Sequence, residues 1–240
     1  MTSDIPSGST TRAHETFFGN AQPTSPRREL TNAVGDALRS IIEHLVDTKA
    51  PDAELEQIKR QLLAVEADLN QFDHGRSYEG YSEASTVGGG PMADGGPPSG
   101  HTDFSPVMGR ANPLAPPLVM SYDEATGEVF GDVVFGSAYE GAPGSVHGGW
   151  VSAAFDEVMG AAQALSGSPG MTGTLTIIYR SPTPIRQPLR IRAVMDRIEG
   201  RKIFVSAQLH AGDTLCAEST AIFISVDFAK LARMTQERDA

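Results

Sequence analysis

One segment constrains the rest of this chain: HGGWVSAAFDEVMGAAQAL, residues 147–165, is a long apolar helical pattern, and the segments that follow it read as strands. Taking ~100° per residue, Val151, Phe155, Val158, Ala162 and Leu165 fall within ~40° of one direction, a stripe that must be buried. The pieces beyond it, MTGTLTIIYR, LRIRAVMDRI, KIFVSAQLH and LCAESTAIFISVDF, are β-rich. Tight turns at Glu199-Gly200 and Ala211-Gly212-Asp213 separate the last three. Ahead of it, VMSYD and EVFGDVVF flank the turn residues Glu124 to Gly127 and read as a hairpin. The order β-β-α-β-β-β-β predicts an α+β domain, with an antiparallel sheet wrapped around one central helix. It excludes doubly wound and α/β-hydrolase folds, whose helices alternate with the strands.

The N-terminal part reads differently. Residues 1–26 are rich in Ser, Thr and Pro without periodicity, which predicts a disordered tail. Leu30, Val34, Leu38, Ile41, Ile42 and Leu45 recur at helical spacing, and Leu55, Ile58, Leu62 and Leu69 do so after Pro51. Together they predict a helical hairpin over 27–74. Residues 75–110, with GGGPMADGGPPSG, read as a flexible linker, 111–230 as the main domain and 231–240 as a tail.

Thirty acidic against nineteen basic residues give a net charge of −11, which repels phosphate backbones and excludes nucleic acid as an expected partner. No window approaches 18 uninterrupted apolar residues, so membrane insertion is not expected. The single cysteine, Cys216, cannot form an internal bridge, and the first twenty residues hold no secretory apolar core. Both point to a cytoplasmic protein. The six histidines lack metal-ligand spacing, so no metal is expected, and Cys216 reads as an inert buried thiol.

The central helix carries the candidate chemistry. Asp156 and Glu157 point away from the apolar stripe, on a face with Ser152, Ala153, Gly160, Ala161, Gln163 and Ala164 and no Lys or Arg. A solvated face normally carries charges of both signs, so small residues predict a close neighbour, most simply a second copy of the chain. A carboxylate held against such an interface gains basicity by desolvation. At the helix start, His147-Gly148-Gly149 leaves backbone N–H groups open to a ligand, backed by the helix dipole. Serving only a loop-to-helix turn is the competing use of these glycines.

These residues carry a resemblance. The run from about Leu118 to Phe228 resembles the hotdog-fold acyl-CoA thioesterases, in the branch of the phenylacetate-pathway enzyme and the mammalian thioesterase-superfamily members acting on long-chain acyl-CoA. The matching pieces are HGG with an Asp nine residues after its His, MTGTLTIIYRSPTP, and EGRKIFVSAQL followed by a long terminal strand. The resemblance implies hydrolysis of acyl-CoA, without a cofactor, because coenzyme A belongs to the substrate. It implies that Gly148 N–H polarises the thioester carbonyl, that Asp156 activates water or attacks directly, and that Thr172 holds the lytic water. His147 matches the turn histidine, as a loop-shaping residue. Gly149 and Glu157 are further substrate-facing positions, Glu157 being the rival carboxylate that the register disfavours.

Arg180, Arg186, Arg190, Arg192, Arg197, Arg201 and Lys202 crowd into 23 residues, and the family pattern puts Arg180, Arg201 and Lys202 on the CoA phosphates. Gly141 stands where the phenylacetate-type enzymes have Asn, which favours medium- or long-chain substrates. The resemblance also implies a homodimer or dimer of dimers, in which the helix of one protomer and the Thr-bearing strand of its neighbour form one site. Competing readings are a hotdog enoyl-CoA hydratase and a non-catalytic acyl-CoA-binding module. A lipase would need G-x-S-x-G, which the chain lacks.

Overall fold

Period-two burial in the C-terminal segments closes the core from one side. In the computed structural model, which describes residues 26–72, 104–167 and 170–226, six strands form one antiparallel sheet. They are β1 (Val119–Asp123), β2 (Glu128–Val133), β3 (Gly170–Tyr179), β4 (Leu189–Glu199), β5 (Lys202–Ala211) and β6 (Thr214–Ser225), in the spatial order β1-β2-β4-β5-β6-β3. Three helices accompany them: α1 (Pro26–Asp47), α2 (Asp52–Leu69) and α3 (Gly148–Ala164), with a 3₁₀ turn at Ser137–Tyr139. The element order of the main domain is the expected one, and α3 packs against β2 to β6. Ile203, Val205, Ala207 and Leu209 of β5 turn inward and bury against it, together with Val151, Phe155, Val158, Ala162 and Leu165. Each large side chain so placed contributes about 1.5–3 kcal/mol.

Two boundaries differ from the expected ones. Residues 104–110, assigned to the linker by composition, belong to the domain: Ser105, Val107 and Met108 are buried. Their backbone is tied down by Gly109 N–H to Ser105 O at 3.0 Å and Leu118 N–H to Val107 O at 3.3 Å. Composition counts Gly and Pro and misses the two apolar side chains that cover α3. The hairpin also departs from the reading. α2 has no buried residue, and Ile58 and Leu69 of its apolar stripe stay exposed. α1 docks through its polar face and leaves Leu30, Val34, Ile41 and Leu45 at the surface. Helical spacing identifies a face; it does not say what covers it.

The expected N-terminal tail, the linker up to residue 103 and the C-terminal tail lie outside the described residues. Among the described residues no helix is long and apolar enough to cross a membrane.

Candidate active site

α3 begins at a glycine pair, and His147 organises that start. The His147 backbone is extended and its Nδ1 accepts the Gly149 N–H at 3.0 Å, capping the helix. Its own N–H donates to Tyr139 O at 2.8 Å. The Gly149 amide is thereby occupied. Gly148 N–H, one of the donors a helix start leaves without an intrahelical acceptor, meets no acceptor among the described residues. A residue that sequence reasoning did not select stands over this start. Tyr179 Oη donates to Gly148 O at 2.9 Å and lies 3.1 Å from Ser152 Oγ, itself a donor to Gly148 O at 2.9 Å. Tyr179 is visible as a letter of the strand motif. Its partner depends on how β3 crosses α3.

Two turns along α3, Asp156 sits on a half-exposed stripe with Ser152, Ala153, Gly160 and Ala164. Thr172 Oγ1 donates to Asp156 Oδ1 at 2.7 Å. This pair lies within one chain, which corrects the expectation that the threonine comes from a neighbouring protomer. The physical reason is a β-bulge. Thr172 is opposite Phe223 and Thr174 opposite Ile222, so Gly173 is the extra residue and the inward-outward alternation slips by one. Leu175, Ile177 and Tyr179 then share Thr172's face, toward α3. A Cβ on Gly173 would lie 3.0 Å from Ile224 Cγ1 and 3.3 Å from Ile222 O, a space that suits glycine.

Glu157 lies apart from this pair. It is buried, and Ser105 Oγ donates to its Oε1 at 3.3 Å while accepting the N–H groups of Val107 and Met108. Ala161 and Gln163, expected on the same open face, are buried as well. The segment from residue 104 covers them, so the open stripe is narrower than the sequence suggests. Glu157→Ala should therefore register in stability more than in turnover. It strands the buried Ser105 hydroxyl and should cost about 1–3 kcal/mol in denaturant unfolding.

The crowded cations are mostly spoken for. Arg180 pairs with Glu218, Arg186 with Asp47, Arg190 with Asp132, Arg192 with Glu128 and Arg197 with Glu199. Arg190 faces Asp132 directly across β2 and β4, and that carboxylate pushes its pKa up, as Glu128 does for Arg192. Cross-strand partners of this kind are invisible in a linear count of charge. Arg201 differs: its Nε and Nη2 donate to Ser225 O at 3.1 and 3.0 Å, a carbonyl that leaves its positive charge uncompensated. Lys202 is exposed beside it. The ladder runs Lys202 to Ile224 to Met171, so this cationic pair shares an end of the sheet with Thr172. Arg180 lies at the other end, next to Tyr179 and the start of α3. Cys216 is fully buried, and burial pushes its thiol pKa up, away from nucleophile chemistry.

A sheet wrapped on a single helix, with a carboxylate-hydroxyl pair on the helix's open stripe, defines a hotdog domain. A family model described as the Thioesterase superfamily matches residues 143–218. A crystal structure of a thioesterase superfamily protein is 30% identical and covers 81% of this chain and 90% of its own, with a TM-score of 0.70. The chain belongs to the thioesterase superfamily. The mouse (Mus musculus) acyl-coenzyme A thioesterase THEM4 is 39% identical over 90 residues, 37% of this chain and 39% of the mouse protein. The human (Homo sapiens) acyl-coenzyme A thioesterase THEM5 is 31% identical over 93 residues, 38% of each. The chain thus spans about two fifths of the length of these curated relatives.

Proposed function

We propose that this protein hydrolyses acyl-CoA thioesters, of medium or long chain, to the free acid and CoA. The single observation that carries the reading is the 2.7 Å hydrogen bond from Thr172 to Asp156 on the open stripe of α3. The acyl-coenzyme A thioesterases among its relatives support the choice of substrate. In this reading Asp156 takes a proton from a water that Thr172 helps to hold, and the oxygen of that water adds to the thioester carbonyl carbon. A backbone N–H at the start of α3, that of Gly148, stabilises the resulting oxyanion. Collapse of the tetrahedral species expels CoA as its thiolate, which takes up the proton. Arg201 and Lys202 are the cations available for the CoA phosphates.

The geometry of one chain carries a further requirement. Gly148 and Asp156 are eight residues apart, a rise of ~12 Å along α3. A carbonyl oxygen and the water attacking its carbon need their partners within ~3 Å each. The two groups therefore act on one carbonyl only when they come from two chains, which supports a homodimer, or a dimer of dimers, as the active form. The free edge of β3, with Met171, Ile178 and Tyr179 exposed, is a surface such an assembly would cover.

Release of free thiol from acyl-CoAs of graded chain length, with Asp156→Ala as the control, tests the reading. A wild-type protein that releases none ends it. A second result follows from the bulge. Gly173→Val should push the strand off register and withdraw the Thr172 hydroxyl, so that it and Thr172→Ala each lower kcat ~10-fold at similar KM, the low side of the range for losing a proton-transfer partner. Wild-type kcat in Thr172→Ala would remove that residue from the site.

A further inference from the structure

α1 reaches the start of α3 through a chain of contacts that the hotdog domain alone does not contain. Its docked face carries Asp36, Arg39, Glu43 and Asp47. Arg39 fastens the middle of the helix by donating to Ala115 O at 2.6 Å and to Arg110 O and Asn112 O at 2.9 Å each. Glu43 does something different. Its Oε1 accepts Ser137 N–H at 2.6 Å and its Oε2 accepts Ala138 N–H at 3.0 Å. These two donors open the 3₁₀ turn, and the turn's own N-cap, Gly136, supplies no side-chain cap. A Cβ at Gly136 would collide with Glu43 Oε2, so the carboxylate occupies the space that glycine leaves. Asp47 Oδ2 adds an acceptor for Ser137 Oγ at 3.0 Å.

The turn then passes the constraint onward. Tyr139 ends it, and Tyr139 O accepts the His147 N–H at 2.8 Å. The Tyr139 ring meets Trp150, in the first turn of α3, edge to face at 5.0 Å, and Phe135 at 5.5 Å. Glu140 and Val146 close the loop between them with a β-bridge. Every link from Glu43 to the peptide that bears Gly148 N–H is therefore a hydrogen bond, a ring contact or the chain itself.

We infer that Glu43 is a positioning residue, which caps the Ser137–Tyr139 turn from outside the hotdog domain and thereby holds the His147–Gly149 turn, and its Gly148 N–H, in place for the reaction. The assignment of an effect on turnover rests on the thioesterase reading. The carboxylate is suited to this role. Burial raises its pKa, but the Ala138 and Ser137 N–H bonds and nearby Arg186 outweigh this and leave it below the ordinary value. It stays charged at neutral pH, when an anion at two backbone donors is worth most.

The test uses the full chain, in wild type and in a Gly148→Pro background. Proline suits the first position of a helix, and His147 at φ −60° and ψ 131° is a conformation that precedes proline without strain. That background removes the N–H and leaves nothing for Glu43 to position. Glu43→Ala should lower kcat between ~10- and ~100-fold at a KM within ~2-fold of wild type, the scale of a misplaced reacting group. Glu43→Gln, which keeps one acceptor, should fall between. In Gly148→Pro neither change should lower kcat further. An equal fall in both backgrounds would mean a merely structural role and would overturn the inference.

Hydrogen exchange supplies a readout independent of activity. Glu43→Ala should speed exchange of the amides from 137 to 150 and leave those from 104 to 115, fastened by Arg39, unchanged. Unchanged exchange over 137–150 overturns the inference too. If the wild type releases no thiol, the thioesterase reading fails, and the exchange comparison alone decides whether α1 holds this turn.

Discussion

Asp156→Ala should lower kcat for acyl-CoA hydrolysis at least ~100-fold, the scale of a general base, with KM changed little. The variant should fold as the wild type does, because the Asp156 side chain is half-exposed and its partner, the Thr172 hydroxyl, is exposed and returns to solvent. That separates it from Glu157→Ala, whose cost falls on stability through buried Ser105. The comparison is informative because the two carboxylates are neighbours in sequence, with the same chemistry and opposite surroundings. A larger kcat loss in Glu157→Ala than in Asp156→Ala, at equal folded fraction, would reverse the assignment.

Mixing inactive subunits should restore activity for one pair and not for another. Asp156→Ala and Thr172→Ala both damage the same intrachain pair, so a heterodimer of these two has no intact site, and no activity beyond that of the parents should return. Gly148→Pro, alone expected to cost ~100- to 1,000-fold through loss of an oxyanion donor, damages the other end of α3. In a heterodimer of Gly148→Pro with Asp156→Ala, one of the two sites joins an intact Gly148 N–H from one chain to an intact Asp156 and Thr172 from the other. About a quarter of wild-type activity should return at full statistical exchange, since half the dimers are mixed and each holds one good site of two. Rescue by the Thr172→Ala pair instead would mean that threonine and aspartate meet across the interface in solution. A protein that is monomeric in sedimentation and fully active at nanomolar concentration would sink the two-chain site altogether.

Much of the domain is legible in the chain read as letters. The 3.6-residue period of residues 151–165 and the period-two runs after Met171 are local properties of covalent geometry, and they yield one helix and six strands in the correct order. Turns at Gly200 and Gly212 are legible because both glycines take positive φ, 59° and 55°. His147, Gly148, Asp156 and Thr172 are legible as letters of a motif. How they are arranged is not. The slip of register at Gly173 that turns Thr172 inward is a single unpaired residue, and no periodicity announces it in a stretch as short as GMTGTLT.

The charges and the N-terminal helices mark the boundary from the other direction. A count of arginines between 180 and 202 suggests a basic rim, yet five of those seven cations meet carboxylates drawn from elsewhere in the fold. Only strand pairing brings Asp132 opposite Arg190, because which strands neighbour one another is a long-range property of the sheet. The apolar spacing of α1 is likewise correct as a helix and misleading as an interface. Its charged face docks, since Glu43 finds two backbone donors and Arg39 several carbonyls 70 or more residues away. Local period, turn chemistry and motif letters lie in the sequence because they depend on near neighbours. The intrachain Asp156–Thr172 pair, the burial of Glu157 under residue 105 and the reach of Glu43 to the 3₁₀ turn depend on segments that meet only when the core closes, and those the tertiary structure decided.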